Sequence, residues 1–163
     1  MPIKLKEAQP PRGVMRLLFR LPIWLYRGHL GWIAGQRFLL LTHIGRKSGQ
    51  KRQSVLEVFG YEQSSNIYYV FVGFGQRSDW LRNVEKTPQV TLKVGRRCLT
   101  AVASRASAEV AEERILIYAR RYPIARKVLP RMIGYQLDGS EEDFREFARI
   151  GIVMAFQVTG NCQ

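Results

Sequence analysis

The chain has 163 residues, 46% of them hydrophobic, which suits one domain with a buried core and leaves too little for two. Lys and Arg total 26 against 13 Asp and Glu, and the part up to Arg52 carries +10 of the net charge of +13. This excess predicts an anionic partner, which could be a nucleic acid, an anionic membrane surface or a phosphorylated cofactor.

The cysteines and histidines do not form a recognised metal or redox motif. Cys98 and Cys162 lack CxxC spacing, and His29 and His43 stand too far apart to join a metal cluster. The sequence also lacks a signal-peptide pattern and an apolar stretch of membrane-spanning length. We therefore expect an intracellular, cytoplasmic chain with no metal and no structural disulfide.

The N-terminal part, residues 1–35, is predicted to be an arm followed by an amphipathic helix. Its helical pattern covers residues 12–26 and places apolar side chains on one face and arginines on the other. The apolar face comprises Val14, Leu17, Leu18, Leu21 and Leu25. Two interpretations fit: the helix packs on the domain, or it lies on anionic lipid as a peripheral membrane contact anchored by Trp24 and Trp32.

Residues 36–163 are predicted to form a single α+β domain. Strands are expected at residues 38–44, 54–61, 67–74, 90–94, 99–104 and 150–158. Helices are expected at residues 78–86, 107–121, 124–133 and 140–149, with serines at the start of three of them. Short connections favour antiparallel pairing, so about six strands predict a small closed or half-closed barrel with helices around it.

A basic loop, Gly45–Gly49, follows the first strand of this domain and precedes Lys51 and Arg52. Its glycines let backbone N–H groups approach a ligand closely, and its cations offer charge-assisted hydrogen bonds. This chemistry is typical of phosphate or carboxylate binding, although the GxxxxGK[ST] pattern of a P-loop is absent. A solvent-exposed hairpin tip would have the same composition.

A second candidate segment is Val72–Asn83, with the sequence VGFGQRSDWLRN. Gly73 and Gly75 permit a flat group to approach, and Ser78 begins a helix whose N-terminal amides can meet an anion. Trp80 and Asn83 share one face of that helix. Core packing for Trp80 and backbone capping for Asn83 are the alternatives.

At these two segments the sequence resembles the deazaflavin (F420)-dependent nitroreductases, a branch of the split β-barrel flavin and deazaflavin oxidoreductases. The similarity runs from about Phe38 to Arg97 and rests on the order and spacing of several short motifs. These are Leu41-Thr42-His43-Ile44, Gly45–Gly49 with Arg52, Ser78–Asn83, Pro88-Gln89-Val90 and Gly95-Arg96. One departure is the lack of the proline that many members carry a few residues after the counterpart of Arg52.

The resemblance implies an FMN-binding-like split barrel and the cofactor F420, a 5-deazaflavin with a phosphorylated, oligoglutamate tail. The residues it assigns to the tail are Arg46, Lys47, Ser48, Gly49 and Arg52. The residues it assigns to the ring pocket are Gly73, Gly75, Ser78, Asp79, Trp80 and Asn83. Because these cations bind an anionic tail, the basic charge need not imply nucleic acid.

The expected function is hydride transfer from reduced F420 to a quinone, a nitroaromatic compound or another electron-poor acceptor, without a catalytic protein nucleophile. Three tyrosines of the helical region are candidates for acceptor binding, with core packing as the alternative. They are Tyr118, Tyr122 and Tyr135. A homodimer is also expected.

Two rival functions remain at this point. The same fold could bind FMN or haem. A basic nucleic-acid-binding barrel would need aromatic residues interleaved with cations, yet the strand with Tyr68, Tyr69 and Phe71 carries no Lys or Arg.

Overall fold

The computed structural model describes residues 2–4, 14, 35–132 and 134–163. The strands are β1 Ile3–Lys4, β2 Phe38–Ile44, β3 Lys51–Glu57, β4 Gly60–Glu62, β5 Ile67–Phe71, β6 Gln89–Val94, β7 Arg97–Arg105, β8 Tyr135–Gln136 and β9 Val153–Asn161. The helices are α1 Asp79–Lys86, α2 Ala108–Arg121, α3 Pro123–Met132 and α4 Glu141–Ile150, with a short 3-10 turn at Gly75–Arg77.

Seven strands form one antiparallel sheet in the order β3-β2-β6-β7-β9-β5-β4, and β1 pairs separately with β8. The link between β3 and β4 brings the two edges of the sheet together. Val58 donates its N–H to Arg37 O, before β2, whereas the next residue, Phe59, donates to Tyr69 O on β5. Neighbouring residues thus bind opposite ends of the sheet, which curls it into a split barrel.

The sheet has a core on each face because successive strand residues point to opposite sides. On β5, Tyr68 and Val70 point into the barrel, where Leu81 and Val84 of α1 also pack. Tyr69 points outward into a second core, formed with α2 and α4. The predicted α+β barrel with surrounding helices is therefore confirmed.

The strand count differs from the prediction because residues 54–61 do not form one strand. Their apolar alternation is continuous, but the backbone leaves one edge of the sheet after Glu57 and joins the other edge at Gly60. The last strand also begins later than predicted, since α4 continues through Ile150. The predicted hairpin between β6 and β7 is confirmed.

Side-chain caps define two helix starts as predicted. Ser107 Oγ accepts from Val110 N at 3.3 Å, and Ser140 Oγ accepts from Asp143 N at 3.1 Å. The predicted amphipathic helix over residues 12–26 falls outside the described residues except for Val14, so the division at residue 35 stays a prediction. Among the described helices, none has the length and apolar content needed to cross a membrane.

The expectation of no structural disulfide is wrong. Cys98 and Cys162 are bonded, with their Cα atoms 5.3 Å apart and a sequence separation of 64. Cys98 lies on β7 and Cys162 directly follows β9, its sheet neighbour, where Cys162 N donates to Cys98 O at 3.0 Å. The pairing of β7 with β9 brings the two cysteines together, whereas their spacing in the sequence did not indicate a disulfide.

Candidate functional site

The basic loop is a tight connection between β2 and β3, closed by its own backbone. Gly45 N donates to Gln50 O and Gly49 N donates to Gly45 O, both at 2.8 Å. Gly49 has a φ of +66°, which favours glycine, whereas a Cβ at Gly45 would lie 2.8 Å from Ser48 Oγ and require that side chain to move. Local sequence therefore determines the shape of this loop.

Contacts through Arg46 attach the loop to α1. Asn83 Oδ1 accepts from Arg46 N at 3.0 Å and from Arg46 Nη1 at 3.1 Å. Arg46 Nη2 lies 3.0 Å from Asp79 Oδ1, and Lys86 Nζ donates to Arg46 O at 2.9 Å. Arg46, Asp79 and Asn83, which were predicted to contact the cofactor, thus contact one another.

The other cations of this region point into solvent. Lys47, Lys51 and Arg52 are exposed, and among the described residues no carboxylate lies within ion-pair distance of them. Arg52 lies on β3 opposite His43, so this strand begins earlier than the predicted start at residue 54. Ser48 is also exposed. Together these side chains leave several donors available beside the basic loop.

The start of α1 places the next group of predicted residues close to this loop. Ser78 precedes the helix and is 4% exposed, and its hydroxyl has no hydrogen-bond partner in the described part of the chain. A buried hydroxyl without a partner costs free energy, so its position favours a polar ligand there. Trp80 instead packs against the barrel core, 6.4 Å from the ring of Phe156.

His43 is 3% exposed and contacts Asn83, the residue of α1 that binds Arg46. Burial, with a smaller contribution from the nearby Arg52 cation, lowers its pKa to about 4, although Asp79 acts in the opposite direction. Its Nδ1 faces Asn83 Nδ2 at 3.2 Å, and its Nε2 faces Ser54 Oγ at 3.4 Å. The ring is therefore neutral at physiological pH.

This burial predicts a specific acid sensitivity. Between pH 6.5 and 4 the unfolded chain binds a proton at His43 and the native state does not, so native stability falls as the pH falls. The difference should total about 3 kcal/mol in the free energy of unfolding. Urea unfolding at pH 7, 5.5 and 4.5 checks it against His43→Asn, which has no group to protonate. Equal pH dependence of the two proteins would contradict the assignment.

A cavity of about 490 Å³ is lined in part by the segment that leads to α1. Gly73 and Gly75 line it together with Tyr135, and Phe71 and Phe147 provide aromatic walls. Four cations also line it, and no carboxylate is among the described residues of its lining. They are Lys4, Arg77, Arg105 and Arg149. Of these, Arg105 pairs with Glu85 and Arg149 pairs with Glu112.

The three predicted acceptor-binding tyrosines are not equivalent. Tyr118 is buried against Phe59, with ring centroids 3.9 Å apart, and its hydroxyl donates to Glu57 Oε1 at 3.0 Å. Burial and the adjacent Glu57 carboxylate raise its pKa. Tyr122 packs 5.0 Å from the ring of Tyr118. Only Tyr135 of the three lines the cavity.

Sequence reasoning missed several parts of this region. The cavity is also lined by Phe74, Gln76 and Arg77. Because all three lie within the predicted segment Gly73–Ser78, their place in the sequence could have indicated that they line the site. Gly151 and Ile152 also line it, but they come from the far end of the chain and carried no such signal. The contact between His43 and Asn83 was likewise not predicted.

Solved structures with similar folds include one described as an F420H2-dependent reductase, FDR-A, with a TM-score of 0.54 and 21% identity over 76% of this chain and 96% of that one. Another, described as a domain-swapped dimer, has a TM-score of 0.53 and 19% identity, covering 83% and 99% of the two chains. HutZ, a haem storage protein from Vibrio cholerae, has a TM-score of 0.53 and 16% identity, covering 84% and 92%. At these identities the similarity shows the fold alone.

The family comparison is more specific. No curated protein matches the chain. The family model described as F420H(2)-dependent quinone reductase matches residues 18–139, which include the basic loop, Gly73–Asn83 and Tyr135. This protein therefore belongs to the F420H2-dependent quinone reductase family and is an F420H2-dependent reductase.

Proposed function

We propose that this protein reduces a quinone, a nitroaromatic compound or another electron-poor acceptor with F420H2, which binds across the basic loop and residues 73–79. The observation that carries this proposal is the row of exposed cations beside a glycine-bounded loop, which have no ion-pair partner among the described residues. Segment 73–79 links this loop to a cavity, because Asp79 contacts Arg46 while Gly73 and Gly75 line the cavity.

The cation row suits the anionic tail of F420. Lys47, Lys51 and Arg52 can each approach a phosphate or carboxylate without first breaking an ion pair to a described residue. The exposed Ser48 hydroxyl adds a neutral donor. Arg46 has a different role in this proposal, since its guanidinium and backbone attach the loop to α1.

The ring and the acceptor suit the segment around Ser78 and the adjacent cavity. The partnerless Ser78 hydroxyl offers a hydrogen bond to a carbonyl or ring nitrogen at the start of α1. Phe71 and Phe147 give the cavity aromatic walls. Its cationic lining favours negative charge that develops on an acceptor as it is reduced.

Reduced F420, when bound, supplies the hydride, so the protein has to bind, orient and shield the reactants. The backbone at Gly73 and Gly75 allows a flat group to approach closely. Tyr135, at the cavity wall, can donate a hydrogen bond to the acceptor through its hydroxyl. This division of roles requires no protein nucleophile.

The cofactor assignment is tested by fluorescence titration of the protein with F420 and, separately, with FMN at low and high salt. We expect F420 to bind much more tightly than FMN, and salt to weaken the binding because exposed cations hold the tail. A preference for FMN, or a Soret band from bound haem, would replace the proposal with one of the rival cofactors. An acceptor screen with menaquinone and nitroaromatic compounds then follows.

Assembly and location stay proposals. A similar fold described as a domain-swapped dimer supports a homodimer, which light scattering can detect. A cytoplasmic protein with a peripheral membrane contact through residues 12–26 remains the expectation from the sequence. Sedimentation with anionic vesicles checks that contact.

A further inference from the structure

The hydrogen bonds around Asn83 determine the orientation of its amide. The Arg46 N–H and guanidinium can only donate, so the atom that faces them at 3.0 and 3.1 Å must be Oδ1. The amide nitrogen then faces His43 Nδ1 at 3.2 Å. His43 Nδ1 must therefore accept, which leaves the ring hydrogen on Nε2, pointing at Ser54 Oγ.

The hydrogen bonds of Asn83 and His43 are difficult to replace because both side chains are buried. Asn83 is 5% exposed and His43 is 3% exposed, so water cannot readily replace a lost partner. If His43 Nδ1 were removed, the Asn83 amide would keep a buried donor without an acceptor. Rotation of the amide to satisfy that donor would withdraw Oδ1 from Arg46.

Arg46 is where the basic loop meets α1. The loop's other backbone bonds, between Gly45, Gly49 and Gln50, are internal and do not determine where it lies relative to the helix. Asn83 makes that connection from the buried side, and Lys86 and Asp79 make it from the exposed side. The position of the basic loop relative to α1 thus depends on the Asn83 amide.

We propose that His43 and Asn83 are positioning residues that hold the basic loop against the start of α1, in the place where it binds the cofactor tail. This inference rests on the proposed function for the tail contact. Neither residue needs to touch F420, which distinguishes this role for Asn83 from the ring-pocket contact expected from the sequence.

Protonation of His43 would break this arrangement. An N–H on Nδ1 would face the amide N–H of Asn83, and the new charge would lie near Arg52 of β3, with Asp79 of α1 as the nearby opposing charge. The lowered pKa of His43 keeps the contact intact at neutral pH.

The test compares two variants of His43, one with and one without a hydrogen-bond acceptor for the Asn83 amide. His43→Asn retains an oxygen near the position of Nδ1, whereas His43→Leu retains volume without an acceptor. We expect His43→Leu to weaken F420 binding about tenfold, from the unsatisfied Asn83 donor, and His43→Asn to stay within about twofold of the original protein. Equal affinity of both variants and the original would overturn the proposal, as would equal losses in the two variants.

A readout without cofactor separates this proposal from the cofactor assignment. In the free protein, the Arg46 amide resonance should shift in His43→Leu and stay in place in His43→Asn. Failure of the original protein to bind F420 would contradict the proposed function and leave this result interpretable.

The original protein provides a further check if His43→Leu does not fold. ¹⁵N resonances of the imidazole, assigned with a His29→Gln variant, should show hydrogen on Nε2 and none on Nδ1 at neutral pH. A hydrogen on Nδ1 would overturn the proposed orientation.

Discussion

Replacing both Lys47 and Arg52 with Ala should weaken F420 binding about 100-fold, since each charge-assisted contact contributes about tenfold in affinity. Both side chains are exposed, so the thermal unfolding temperature should stay near that of the original protein. The loss should be larger at low salt than at high salt because screening already weakens these contacts. Fluorescence titration at two salt concentrations measures both effects.

The matched control removes two exposed cations elsewhere. Lys93 on β6 and Lys127 on α3 are exposed and lie outside the basic loop. Their double Ala variant has the same net charge as the variant that lacks Lys47 and Arg52. It should bind F420 nearly as well as the original protein. Similar losses in the two double variants would show that overall charge, and not the proposed tail site, attracts the cofactor.

Reduction of the Cys98–Cys162 disulfide should lower the free energy of unfolding by about 2–4 kcal/mol. The bond closes a sequence separation of 64 residues that contains α2, α3 and α4, so its loss frees a long segment of the unfolded chain. Urea unfolding with and without a reductant measures the difference. The basic loop lies outside this segment, and F420 affinity should change little.

The control for this prediction is the double variant Cys98→Ala and Cys162→Ala. Its stability should match that of the reduced protein and should not respond to the reductant. Two titratable thiols in the untreated, folded protein would contradict the presence of the bond.

The sequence predicted local structure well where neighbouring residues determine it. Ser107 and Ser140 begin helices because a side-chain oxygen can accept from an amide three residues later. Asn66 occupies the turn before β5 with a φ of +54°, a conformation that asparagine tolerates. These features depend on contacts within a few residues, so composition and spacing carry the information.

Strand boundaries were less predictable where tertiary contacts overrode a continuous pattern. The alternation through residues 54–61 fits one strand, yet Val58 and Phe59 hydrogen-bond to opposite edges of the sheet. Tertiary contacts also explain why the disulfide was not predicted, because the pairing of β7 with β9 places Cys98 next to Cys162. Neither long-range contact leaves a signal in local spacing.

For the candidate site, the sequence by itself determined the chemistry: a glycine-bounded loop with cations, and a second glycine segment leading to Ser78. Tertiary structure decided which of these groups remain available for a ligand. Arg46 and Asn83, which are 37 residues apart, bind each other, whereas Lys47 and Arg52 face solvent. The physical reason is that residue type determines what a side chain can bind, but closure of the barrel determines which partners come within reach.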